Sequence, residues 1–324
     1  MYIYKTIFKH FDSTQKCKNS KIINKYLIIS LFAAPILHSC NNSEITTNND
    51  EMLLRIEANI EATKVSTRYS ATDINSIQFS DGDEIGIFIN EKDLSKWIYS
   101  DSWNSETKIY WSDKETVYNF HAFYPYNNTS TYETITTPSL SIQDGTLQSL
   151  GAHDFMTTNI SSDYSNNNGN VSFTGQNSFK HIYSLICLNI NNIDSEVNSK
   201  INSVTLSGTN IATASSYSFE DSNLSSNSHA PEVNIINIES EASLAEKKSF
   251  YIIVNPFSDN IDLTINYTIG SYTYNATKAS LIISPLSGGS KYSYNITLKD
   301  NAIKITDSAI SEWAEGNDIE DITI

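Results

Sequence analysis

"IDLTINYTI", residues 261–269, alternates without a break. Ile261, Leu263, Ile265, Tyr267 and Ile269 fall on one side, and Asp262, Thr264, Asn266 and Thr268 on the other. A period of two puts one set against a core and the other in water, the pattern of a half-buried strand. The same reading applies to EIGIFI (84–89), VYNFHAFY (117–124), SLICLNI (184–190), NSVTLSG (202–208), FYIIVN (250–255) and YSYNITL (292–298). Turn-forming clusters stand between them: SDGDE (80–84), SDYSNNNGNV (162–171) and PLSGGSKY (285–292). No long amphipathic helix pattern occurs. Short strands separated by turns predict an all-β chain built of antiparallel β-sandwiches.

Composition narrows the function. The chain has 324 residues and a formal charge of −16. Residues 1–39 hold six lysines and one acid, so the remainder carries 15 basic against 36 acidic residues, hence −21. Such a surface repels phosphate backbones, and nucleic acid is not an expected partner. Ile, Thr and Tyr suit pleated strands, and Asn and Ser suit turns.

The N-terminus reads as a targeting segment. Lys16, Lys18, Lys21 and Lys25 precede an apolar run of about a dozen residues, Tyr26 to Leu37, too short to span a bilayer. Some 25 residues precede that run, which is long for such a signal. The run ends in LHSC (37–40), which resembles a bacterial lipoprotein box with Cys40 as the lipidated first residue of the mature chain. Leu37 and Ser39 fit the box, and His38 stands where a small residue is usual. Ordinary secretion with an incidental cysteine is the plainer alternative. Of the three cysteines, Cys17 leaves with the signal and Cys40 carries lipid. Cys187 then remains as a lone thiol in an apolar strand, so no intramolecular disulfide is expected. Stability has to come from cores, and about 285 residues suffice for two domains. The expected layout is 1–39 signal, 40–68 tether and removable N-terminal strand, 69–192 first sandwich and 193–324 second sandwich.

After Cys40 comes a polar tether and then LLRIEANIEATKVSTRYS (53–70). Leu54, Ile56, Ala58, Ile60 and Ala62 alternate with Arg55, Glu57, Asn59 and Glu61. This is a strand with a clean apolar face, and it needs a partner sheet to cover that face and to satisfy its backbone. The chain has two arginines, Arg55 inside the alternation and Arg68 in the polar stretch after it. A protease needs extended, accessible backbone, so Arg68 suits an Arg-specific protease better than Arg55 does. Both arginines also read as ordinary solvated surface residues.

Several stretches in order resemble the fimbrillin, or type V pilin, family of the Bacteroidota in its Mfa-like branch. They are FSDGDEIGIFI (79–89), KIYWSDKETVYNFHAFYPY (108–126), HDFMTTN (153–159), VSFTGQNSFKHIYSLICLNI (171–190), LSGGSKYSYNITL (286–298) and ISEWAEG (310–316). The resemblance implies two transthyretin-like sandwiches and export as an outer-membrane lipoprotein. It also implies an Arg-specific surface protease that removes the N-terminal strand, and assembly into a surface fimbria when a strand of the next subunit fills the groove. Cleavage after Arg68 would remove the strand whole, leaving Tyr69 first. By the same analogy the donor strand is sought in the tail, at Ile303, Ile305, Ile322 and Ile324. The plainer role of that tail is the last strands of the second sandwich.

Other chemistry is sparse. His121, His153, His181 and His229 show no ligand spacing, and the expectation is a structural role for each. Asp81, Asp83 and Glu84 read as a turn entering a strand rather than a calcium loop. No nucleophile elbow or phosphate-cradling loop occurs. The expectation is a non-enzyme without cofactor or metal, partnered by other pilin subunits. Trp97, Trp103, Trp111 and Trp313 suit core packing, or stacking on sugars. The stretch KWIYSDSWNSETKIYW (96–111) is therefore a candidate adhesive surface. A lipid-anchored surface glycan-binding protein is the alternative reading, and a lipid-anchored hydrolase using two carboxylates the third.

Overall fold

A computed structural model of the protein describes residues 52–61, 78–192, 199–235, 248–256, 258, 260–282, 286–299 and 301–313. The strands are β1 (Arg55–Ala58), β2 (Glu84–Ile89), β3 (Leu94–Ser100), β4 (Ser102–Ser105), β5 (Tyr118–Tyr124), β6 (Ile135–Thr136), β7 (Ile142–Gln143), β8 (Met156–Ser162) and β9 (Asn170–Phe173). They continue with β10 (Lys180–His181), β11 (Ser184–Asn192), β12 (Ser199–Ser218), β13 (Asn223–Ile235), β14 (Lys248–Val254), β15 (Ile261–Ile269), β16 (Tyr272–Ile282), β17 (Ser290–Lys299) and β18 (Ala302–Glu312). The chain is all-β, as its alternation requires. β15 coincides with IDLTINYTI, and Ile261, Leu263, Ile265 and Tyr267 are fully buried.

The first half builds a sheet of order β10-β8-β5-β2-β3-β4, antiparallel throughout. Both of its faces are covered. Ile85, Ile87, Trp97 and Phe120 pack beneath the small parallel sheet β1-β9, while Phe88 and Phe123 face the opposite way into a second cluster. Gly86 makes this possible at one point. A Cβ there would lie 2.4 Å from the Phe123 ring.

The second half contains a four-stranded sheet, β14-β11-β17-β18, and a larger one, β16-β15-β12-β13-β7. Ile186, Leu188, Ile190, Val204, Leu206, Ile252, Leu263, Ile265 and Ile296 form the core between them. β11 ends where the boundary between the two sandwiches is expected, after residue 192. It pairs with β14 and, in parallel, with β17, so it belongs to the second half's sheet. The reason is its composition. Ile186, Leu188 and Ile190 enter one core while Leu185 and Cys187 enter the other, and only a strand covered on both faces accommodates such a run. The segment carrying β6 and β7 also crosses over, to pair with β12 and β13.

The pairing is not uniformly antiparallel, since β1-β9, β11-β17 and β13-β7 run parallel. NSVTLSG, read as a seven-residue strand, is the first part of the 20-residue β12. β12 and β13 form a long bulged hairpin whose far end delivers Tyr217 and Phe219 into the cluster shared with Phe88 and Phe123.

Candidate functional site

The seat of the N-terminal strand is the best-defined feature of the first half. β1 runs parallel to β9 with Ile56 opposite Val171 and Ala58 opposite Phe173. The Arg55 N–H donates to the Gly169 carbonyl at 3.1 Å and the Asn59 N–H to that of Phe173 at 3.0 Å. Further on, the Phe179 N–H donates to the Asn59 carbonyl at 2.9 Å and the Glu61 N–H to that of Phe179 at 2.8 Å. On the other edge, the Leu54 N–H donates to the Ile109 carbonyl at 2.8 Å and the Trp111 N–H to the Met52 carbonyl at 2.9 Å. The strand is thus held by backbone hydrogen bonds from both sides.

Its side chains divide as the sequence predicts. Leu54, Ile56, Ala58 and Ile60 are 4–7% exposed, and Arg55, Glu57, Asn59 and Glu61 face water. The floor beneath includes Trp103, Trp111, Val171, Phe173 and Phe179. Trp111 stays polar-satisfied there, its Nε1–H donating to the Gly169 carbonyl at 3.1 Å.

Beyond Ile60 the seat opens into a cleft of about 480 Å³. Ile60, Phe79, Tyr124, Leu150 and Met156 give it apolar walls, and Asp83 and Asp154 add carboxylates. The Asp83 carboxylate accepts from the Ser80 N–H at 2.7 Å and from the Tyr124 hydroxyl at 3.2 Å. Burial pushes its pKa up, and these two donors partly oppose that. Phe79 lies edge-on to Trp103 at 4.9 Å and to Phe179 at 5.3 Å. Ile60 and Gln78 both line this cleft.

Arg55 is exposed as a side chain but lies inside the paired strand. Cys40, Ala62, Arg68, Ile322 and Ile324 lie outside the described residues, and so do residues 1–51, where the signal and tether are expected. Ile303 and Ile305 are in β18, which pairs with β17 along its length; Ile303 is 9% exposed and Ile305 packs against the same core.

The tryptophans also resolve. Trp97, Trp103, Trp111 and Trp313 are all buried, so the stretch 96–111 offers none of its indoles to a sugar. It forms the β3–β4 hairpin and the rim of the strand seat instead. SDGDE is the turn into β2, with Gly82 at φ +92° and the Asp83 N–H donating to the Ser80 carbonyl at 2.9 Å.

Sequence spacing missed one polar cluster. His181 Nδ1 lies 2.8 Å from Asp154 Oδ2, both buried, and its ring stacks on Trp313 at 4.0 Å with planes 9° apart. His121 packs against Tyr132 and Phe219, and burial lowers its pKa. Burial pushes the Cys187 thiol up to about 12, which keeps it protonated and unreactive. Among the described residues no three His, Cys, Asp or Glu side chains gather as a metal site.

The sequence model of the fimbrillin-like family matches residues 67–313. That is well over half of the chain. The protein belongs to the fimbrillin-like family. This is a family of structural fimbrial and adhesion proteins rather than of enzymes. Among curated proteins none matches significantly. Solved structures share the fold. A candidate cell adhesion protein of Bacteroides uniformis superposes with TM-score 0.57 at 17% identity, over 81% of this chain and 98% of that one. Another from Bacteroides ovatus gives 0.55 at 16% identity, over 82% and 99%. The tip fimbrial protein Mfa3 of Porphyromonas gingivalis, with C-terminal truncation, gives 0.43 at 8% identity, over 81% and 100%. The family match begins at residue 67, so the strand seated at 54–60 in this fimbrillin-like chain precedes the matched region.

Proposed function

We propose that this fimbrillin-like chain is a subunit of a cell-surface fimbria that assembles by strand addition. It is exported as an outer-membrane lipoprotein through Cys40 and matured by an Arg-specific protease at Arg68. The observation that carries the reading is the seat of β1. One alternating strand, hydrogen-bonded on both edges, covers an aromatic floor, and the chain just beyond it contains Arg68. Removal of that strand exposes apolar surface together with unpaired backbone groups, and an extended segment of another subunit satisfies both at once. Lipid and resident strand hold the subunit at the membrane and unassembled until the cut. Ile303 and Ile305 pack in the chain's own core, which favours Ile322 and Ile324 over them as donor residues of the tail.

The test is the N-terminus and intact mass of the protein recovered from cells, with and without an Arg-specific protease. A chain starting at Tyr69 in the presence of the protease, and a lipidated chain starting at Cys40 in its absence, is the expected pair. Unchanged processing and assembly after Arg68→Ala would sink the cleavage assignment.

A further inference from the structure

The cleft of about 480 Å³ falls in the range of pockets that hold whole ligands, about 300–1,000 Å³. Its walls are charged with one sign. Asp83 and Asp154 both line it, and among the described lining residues no side chain is basic. Asp154 is the anomaly. Its side chain is 3% exposed, and His181 Nδ1, at 2.8 Å, meets only one of its two carboxylate oxygens, Oδ2. Oδ1 is buried and has no hydrogen-bond partner among the described residues. A buried acceptor without a donor is unfavourable, and folded proteins keep few of them. The pair is firmly packed, since the His181 ring stacks on Trp313 at 4.0 Å. Asp83 accepts from Ser80 and Tyr124, and a carboxylate has room for further donors. Burial pushes its pKa up, a shift that a cation beside it opposes. The other walls include Phe79, Leu150 and Met156. A hard metal ion wants about six or more oxygens, which such walls do not supply. A primary ammonium on an apolar stem suits them, with three N–H donors for oxygens and a stem for the apolar side.

We infer that the cleft binds a small primary amine, whose ammonium donates to Asp154 Oδ1 and to the Asp83 carboxylate while an apolar or aromatic stem packs against Phe79, Leu150 and Met156. The ligand is a free molecule, and the inference does not rest on strand addition. Ile60 is part of the wall, so the site belongs to the uncut chain. The orphan oxygen sets the selectivity. It needs an N–H, so a quaternary ammonium of equal charge is rejected. A neutral alcohol of similar shape brings one donor and no charge, and binds less tightly.

The probe is phenethylamine, titrated by calorimetry into the uncut protein at about pH 7.5, where the amine is protonated. Phenethyl alcohol and phenethyltrimethylammonium are titrated beside it. Saturable binding of the amine is expected, with each analogue at least about tenfold weaker. Asp154→Asn keeps the side chain's size and removes its charge, and should weaken the amine at least about tenfold. Thermal unfolding checks that the variant folds, and if it does not, Asp83→Asn decides by the same criterion. In crystals soaked with the amine, its nitrogen should lie about 2.7–2.9 Å from Asp154 Oδ1. Absence of saturable binding up to about 10 mM overturns the inference. So does an analogue that binds as tightly as the amine, unchanged affinity in the deciding variant, or a nitrogen seated away from Asp154.

Discussion

Gly86 shows how much a single residue carries. It sits in β2, between Ile85 and Ile87, with the Phe123 ring where a side chain would begin. Gly86→Ala puts a methyl group 2.4 Å from a fully buried ring that has nowhere to go. The expected cost is about 1–3 kcal/mol, as for other overpacked cores, and it is measured by urea unfolding. His121 adds a pH dependence. Burial holds its imidazole below the ordinary value of 6.5, and Glu91 opposes that shift. The folded protein therefore takes up this proton less readily than the unfolded chain. Its stabilising share is complete above about pH 6.5 and is lost as the pH falls below that value. Thermal unfolding of wild type between about pH 7.5 and about pH 5 should show a larger loss than the His121→Phe variant over the same window.

At the scale of elements, β1 is the one to test. Four inward residues, 4–7% exposed, and backbone hydrogen bonds on both edges hold residues 52–61. Uncovering their seat exposes on the order of 200–400 Å² of apolar surface, which is about 5–10 kcal/mol as an upper figure. Ile56→Ala should cost about 2–4 kcal/mol and speed amide exchange across 54–61. Glu57→Ala, on the exposed face, should stay within about 0.5 kcal/mol of wild type. Equal effects of the two would mean that the strand is not seated through its apolar face. This element was legible beforehand because alternation is a local property, and the burial of residues 54–61 alternates as their chemistry does. The aromatic floor was not legible. Trp103, Trp111, Phe173 and Phe179 come from separate segments, and no local pattern tells a buried indole from one that stacks on a ligand.

Over the whole molecule, a third cluster joins the two halves. Phe88 and Phe123 come from the first sheet, Leu185 and Cys187 from β11, and Tyr217 and Phe219 from the end of the β12–β13 hairpin. Phe219 lies 5.1 Å from His121, 5.9 Å from Tyr132 and 6.3 Å from Phe88. Phe219→Ala should therefore cost about 3–5 kcal/mol, although the residue sits beside a turn. Differential scanning calorimetry checks this, and a loss below about 1 kcal/mol would mean that the hairpin end does not bear on the first sheet. β11 ends at the expected boundary of 192/193 and pairs with β14 and β17 of the second half. β11 lies between two cores, and its run of apolar residues looks from sequence like the end of whatever precedes it.

By itself the sequence determined the all-β class, the strands read at 84–89, 117–124, 250–255, 261–269 and 292–298, and the inward and outward faces of the N-terminal strand, because each follows from a period of two within a few residues. Only the tertiary structure decided that β11 pairs with β14 and β17, that all four tryptophans are internal, that His181 meets Asp154 and Trp313, and that a cleft continues the strand seat past Ile60. Those outcomes depend on contacts between residues tens to more than a hundred positions apart, and side-chain volume and hydrogen bonding select among them only once the sheets are packed.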